Sequence, residues 1–166
     1  IAGTTGSGKS ELLQSVIASL AYANRPDALN LVLIDYKGGS AFKECVRLPH
    51  TVGMVTDLDG HLTERALASL AAELSRRETL FRSAGAANLE AYERSTLANA
   101  QPLARLMIVI DEFATLAEEL PAFMDGVIDI ARRGRALGLH LVLATQRPSG
   151  VISPAIRTNT NIRVAM

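Results

Sequence analysis

The chain has 166 residues, 48% of them hydrophobic, with 17 basic and 17 acidic side chains and a formal net charge of zero. That length and composition predict one globular domain with a sizeable core, without a membrane-length apolar run or a leading signal peptide, and the neutral balance provides no strong basic field for nucleic acid. The lone Cys45 excludes an internal disulfide, and Cys45, His50, His61 and His140 lack metal-ligand spacing, so all four read as structural.

In chain order, the first feature is Gly3-Thr4-Thr5-Gly6-Ser7-Gly8-Lys9-Ser10, which fits the phosphate-binding pattern G-x-x-x-x-G-K-[ST] at every fixed position. Glycines at 3, 6 and 8 let the backbone curl so that successive N–H groups face inward at a helix N-terminus, where the dipole also favours phosphate. Lys9 adds a mobile positive charge for the β- and γ-phosphate oxygens, and the Ser10 hydroxyl is placed to ligate Mg²⁺. Gly3, Thr4, Thr5, Gly6, Ser7, Gly8, Lys9, Ser10 and Glu11 are therefore the candidate residues for ATP and Mg²⁺. A bare helix-capping turn would need neither the lysine nor its offset.

From Ser10, Leu12, Leu13, Val16, Ile17 and Leu20 recur at helical spacing until Asn24-Arg25-Pro26-Asp27 stops the helix. Leu29 to Ile34 reads as a strand, ending in the loop Asp35-Tyr36-Lys37-Gly38-Gly39-Ser40. Thr51 to Thr56 is a short strand and His61 to about Ser83 a long helix with Gly85 as its stop. Asn88 to Tyr92 reads as a capped short helix and Asn99 to Pro102 as loop.

Leu106 to Ile110 is a continuous apolar run that stops at Asp111-Glu112, the pattern of a buried parallel strand ending in two acids. The C-terminal edge of such a sheet is where α/β proteins bind ligands. Asp111 is placed to hold the Mg²⁺ shell and Glu112 to orient the attacking water and accept its proton. Phe123 to Leu137 then reads as helix ending at Gly138, Leu139 to Ala144 as another buried strand, and Asn161 to Met166 as a final strand.

Alternating strands and helices predict an α/β fold with a mostly parallel central sheet covered on both faces. Only Ile1 and Ala2 precede the phosphate loop, so most of the expected first strand is supplied by sequence outside this chain. The chain is expected to be a piece of a longer polypeptide, truncated at the first strand and at the C-terminus.

Three stretches carry a resemblance to a known family: the phosphate loop, Ile110-Asp111-Glu112-Phe113-Ala114, and Arg135-Ala136-Leu137-Gly138-Leu139-His140-Leu141-Val142-Leu143-Ala144-Thr145-Gln146-Arg147-Pro148. Together they resemble the FtsK/SpoIIIE branch of RecA-like P-loop motor ATPases. Within it, Asp35 to Phe42 and Leu48 to Asp57 look like the EccC/EssC ATPases of type VII secretion. The resemblance implies a homo-oligomer, a hexamer with ATP at subunit interfaces, on the cytoplasmic face of a bacterial membrane. It also implies a parent chain with tandem ATPase modules and a membrane anchor, secreted protein substrates with peptide export signals, and other secretion-system subunits as partners.

The same resemblance places a γ-phosphate sensor at Gln146 and makes Arg132, Arg133 and Arg135 candidates for an arginine finger reaching a neighbour's nucleotide. These arginines also suit a solvated basic helix end, and the position that aligns with the DNA translocases' finger holds Asp129. Two other functions stay open at this point: a double-stranded DNA translocase, the one reading with DNA as partner, and a degenerate ATP-binding module of a tandem motor.

Overall fold

The computed structural model describes residues 1–35, 41–56, 60–147 and 154–166. Four parallel strands, β1 (Leu29–Asp35), β2 (Thr51–Val55), β3 (Arg105–Asp111) and β4 (Leu139–Leu143), form a sheet in the order β2-β1-β3-β4. Register places Asp35 beside Asp111 and Ile110 beside Leu143, so the strands' C-terminal ends share one edge. The helices are α1 (Lys9–Ala23), α2 (Gly60–Ala84), α3 (Leu89–Glu93), α4 (Thr96–Ala100), α5 (Phe113–Glu119), α6 (Pro121–Arg133) and α7 (Pro154–Asn159).

The unbroken apolar runs of β1 and β3 follow from burial on both faces. On one face Leu31, Leu33 and Val109 belong to a cluster with Leu13 and Ile17 of α1 and with Phe42. On the other, Ile34, Ile108 and Ile110 share a core with Leu70 and Leu74 of α2 and Phe123, Val127 and Ile130 of α6. The α/β architecture expected from the sequence is the one observed. Its punctuation is also as read: Gly85 takes φ +63° after α2, and the Asn88 side chain accepts from the Ala91 N–H at 2.8 Å to cap α3.

Four local expectations need correction. The helix expected over Phe123–Leu137 starts at Pro121 and ends at Arg133, because residues 134–138 form turns that drop the chain into β4. Leu139 N–H donates back to Gly134 O at 2.8 Å across those turns. Asn99 and Ala100, expected as loop, finish α4. The short α5 and α7 lie where no helix was expected. The strand expected over Asn161–Met166 reduces to one parallel bridge between Ala165 and Ala2, since a ladder needs a run of paired residues and Ala2 alone provides the pairing among the described residues. Tyr36 to Ser40, Asp57 and Pro148 lie outside the described residues.

A buried guanidinium ties α2 to the sheet. Arg77 is 3% exposed and donates to Glu73 Oε1 at 2.7 Å, to Leu137 O at 2.8 Å and to Ala104 O at 2.7 Å. Leu137 and Ala104 lead into β4 and β3, so one planar fork pins a helix to the starts of two neighbouring strands. Burial alone would push the Glu73 carboxyl up, but bonds from Arg76 and Arg77 hold it below the usual carboxylate range. Arg77→Ala strands the two carbonyls and lowers stability by roughly 2–4 kcal/mol. Arg77→Lys recovers only part, because an ammonium cannot reproduce the fork; the urea midpoints of the three proteins check the order.

Candidate active site

The phosphate loop stands at the C-terminal edge of the sheet because Ile1 to Gly3 run beside the end of β4. Gly3 N–H donates to Thr145 O at 3.1 Å and Thr145 N–H to Ile1 O at 3.0 Å. Gly6 and Gly8 take φ +82° and +86°, conformations that L side chains rarely adopt, and they turn the loop into α1. Gly8 caps that helix with no side-chain hydrogen bond, which leaves the first-turn N–H groups available to an anion.

The loop tests well as a nucleotide site on its own atoms. A Cβ on Gly3 would lie 2.4 Å from Ser7 Oγ and 3.3 Å from Met166 Cβ, so a side chain there would displace the Ser7 hydroxyl. The Ser7 hydroxyl is buried without a hydrogen-bond partner, an unused polar group within the cradle.

Across from the loop, β3 ends at Asp111, and Glu112 turns the chain into α5 with φ +54° and ψ +46°. A left-handed glutamate costs about 1–2 kcal/mol and is held here by two bonds. Glu112 N–H donates to Asp111 Oδ1 at 2.9 Å, and Phe113 N–H donates to Ala144 O at 2.9 Å. Lys9 Nζ reaches both acids, at 2.6 Å from Asp111 Oδ1 and 3.4 Å from Glu112 Oε2. All three side chains are buried. Two carboxylates facing one ammonium leave an excess negative charge, an environment that a divalent cation offsets. Mg²⁺ binds through one or two protein oxygens plus phosphate and water, so Asp111 with the Ser10 hydroxyl on the first turn of α1 is a sufficient protein set.

Gln146 joins this edge from β4, its Oε1 accepting from the Thr5 hydroxyl at 3.0 Å. No sequence signal marked that pairing, because the partners are far apart in the chain and each is an ordinary loop residue. Asp35, beside Asp111 in register, is also buried, and its Oδ2 accepts from Ala41 N–H at 3.0 Å. Glu11 is exposed on the first turn of α1.

The arginine candidates do not converge on this site. They precede Leu139, which pairs with Leu106 at the start of β3, roughly 16 Å along the strand from Asp111. Arg133 is engaged by Asp129 and Glu78, and its bond to Asp129 holds that carboxyl below the usual range. Arg132 and Arg135 are exposed and make no side-chain hydrogen bond among the described residues.

The model of the FtsK/SpoIIIE family matches residues 1–150. The chain is 44% identical over its whole length to the type VII secretion system protein EssC of Staphylococcus aureus, and spans 11% of that protein. The cytoplasmic domain of the Thermomonospora curvata type VII secretion ATPase EccC superposes with a TM-score of 0.86 at 38% identity, over 95% of this chain and 19% of that one. ATPases 2 and 3 of the same EccC, in complex with a signal sequence peptide, give 0.82 at 27% identity over 95% of this chain and 29% of theirs. The pCW3 conjugation coupling protein TcpA with ATPγS gives 0.83 at 28% identity, over 99% of this chain and 47% of TcpA.

Lys9 is counter-charge to the acids, and the loop pattern also makes it a candidate phosphate ligand. Lys9→Ala is expected to abolish ATP binding and to lower nucleotide-free stability by about 3 kcal/mol, the cost of stranding buried carboxylates. Adding Glu112→Gln is expected to restore part of the stability and none of the binding. Calorimetry and urea denaturation on the two variants read both effects, and undiminished ATP affinity in Lys9→Ala would contradict the assignment.

Proposed function

Since this chain belongs to the FtsK/SpoIIIE family, we propose that it binds and hydrolyses Mg·ATP as a motor domain that powers protein export in a type VII secretion system. The observation that carries the chemistry is the buried cluster of Lys9, Asp111 and Glu112 beside an intact phosphate loop. The export role is supported by the identity to EssC along the whole chain and to EccC along 95% of it.

In this reading the loop N–H groups and Lys9 bind the β- and γ-phosphates, Lys9 exchanging its bond to Asp111 for phosphate oxygens. Ser10 and Asp111 hold the metal, which when bound neutralises phosphate charge. Glu112, fixed by its left-handed backbone, orients the water and accepts its proton. Gln146, three residues beyond β4, would meet the γ-phosphate as the family's sensor position implies. Intact Lys9, Ser10, Asp111 and Glu112 count against a degenerate module.

Assembly as a hexamer, with the parent chain anchored at the cytoplasmic face of the membrane, belongs to the same proposal. Of the arginines at the end of α6 and in the turns that follow it, Arg132 and Arg135, rather than the already paired Arg133, are the groups available to a neighbouring subunit's nucleotide. The cargo we assign is secreted protein bearing a peptide signal, in line with the signal sequence peptide bound by EccC. A neutral chain with lysine only at positions 9, 37 and 43 is expected to associate weakly with DNA.

Glu112→Gln keeps the side chain's shape and removes the base, so ATP binding is expected to persist while turnover falls roughly 100-fold or more. Wild-type turnover in that variant would assign the water to another group. For cargo, the ATPase rate of the protein is expected to rise with an export-signal peptide and to stay flat with duplex DNA at physiological salt. The opposite pattern would replace the export role with DNA translocation.

A further inference from the structure

The contact between Thr5 and Gln146 joins the phosphate loop to the end of β4, across 141 residues of sequence. We propose that Thr5 is a positioning residue that decides which end of the Gln146 amide faces the nucleotide. The inference rests on the ATP reading above and extends it to a side chain that the loop pattern leaves free to vary.

A carboxamide has an oxygen that only accepts hydrogen bonds and a nitrogen that only donates, whereas phosphate oxygens only accept. The Thr5 hydroxyl donates to Gln146 Oε1 at 3.0 Å. With the oxygen so engaged, the NH₂ group is the end left to project toward an acceptor. Without the hydroxyl, the amide turns about its last bond, and in one of its two orientations the oxygen opposes the phosphate.

The backbone around Gln146 is already fixed, which leaves its side-chain torsions as the freedom that the bond to Thr5 sets. Thr145 is bonded through its N–H to Ile1 O at 3.0 Å and through its carbonyl to Gly3 N–H at 3.1 Å. The Thr145 hydroxyl accepts from Arg147 N–H at 3.0 Å, and Ala144 N–H donates to Ile110 O at 2.9 Å. Position 146 is thus held from both sides, by the residues that lead into the phosphate loop and by the strand ending in the acids. Because Thr5 lies in the loop itself, the amide is set only when the loop holds its shape.

The test uses Glu112→Gln protein, in which ATP survives long enough for equilibrium binding, and reads the ratio of ATP to ADP affinity by calorimetry. Thr5→Val, which keeps the shape and removes the hydroxyl, is expected to lower that ratio about fivefold to tenfold, the worth of one hydrogen bond. Thr5→Ser should restore it. Gln146→Ala should lower the ratio as far as Thr5→Val does, with no further loss when the two are combined.

A nucleotide-free readout accompanies these. Thr5→Val and Gln146→Ala should be non-additive in thermal stability, because they remove the same bond. Equal weakening of ATP and ADP by Thr5→Val, or full additivity with Gln146→Ala, would overturn the positioning role while leaving the nucleotide site intact. Failure of the Glu112→Gln protein to bind either nucleotide would instead remove the ATP reading, and this inference with it.

Discussion

The Lys9 ammonium, 2.6 Å from Asp111 and 3.4 Å from Glu112, ties the first turn of α1 to the end of β3. These groups lie about a hundred residues apart in sequence and meet only because the sheet sets the C-terminal ends of its strands along one edge. A buried lysine facing two buried carboxylates is a coupled set: removing the lysine leaves both acids without counter-charge, whereas removing Glu112 leaves Lys9 paired with Asp111. The phosphate loop thus rests closed on the acids, and in the proposed reading Lys9 would exchange Asp111 for phosphate oxygens when nucleotide binds.

The two edges of the sheet divide the work between them. At the C-terminal edge the backbone is unusual: two left-handed glycines in the phosphate loop, a left-handed glutamate after β3, and a loop hydroxyl bonded to the amide after β4. At the opposite edge Arg77 supplies rigidity, joining α2 to the carbonyls that precede β3 and β4. Glu112 is the one non-glycine residue with positive φ among the described residues and lies at the first edge, while the fork of Arg77 ties α2 to the strands at the other.

Much of this was legible in the sequence, for identifiable reasons. The phosphate loop and the acids after β3 carry fixed spacings whose chemistry needs those residue types, and the apolar runs of β1 and β3 reflect burial on both faces. Gly85 and Asn88 stop and start helices where their backbone and side-chain chemistry require it. The rest depended on partners that local pattern does not encode. α5 begins from a glutamate in a backbone region that sequence gives no reason to expect, and α6 ends at Arg133 because the chain must turn to enter β4. The pairing of Arg133 with Glu78, on α2, is likewise invisible in a run of helix-end arginines.

In the proposed reading Lys9, Asp111 and Glu112 form a site for a nucleoside triphosphate together with its metal. Titration of the protein with ATP, in magnesium and again in excess EDTA, tests it most directly. Two buried carboxylates facing a triphosphate repel it unless a divalent cation intervenes, so affinity is predicted to fall by at least about tenfold when the metal is withdrawn. Equal affinity with and without magnesium, or no binding in either condition, would contradict it.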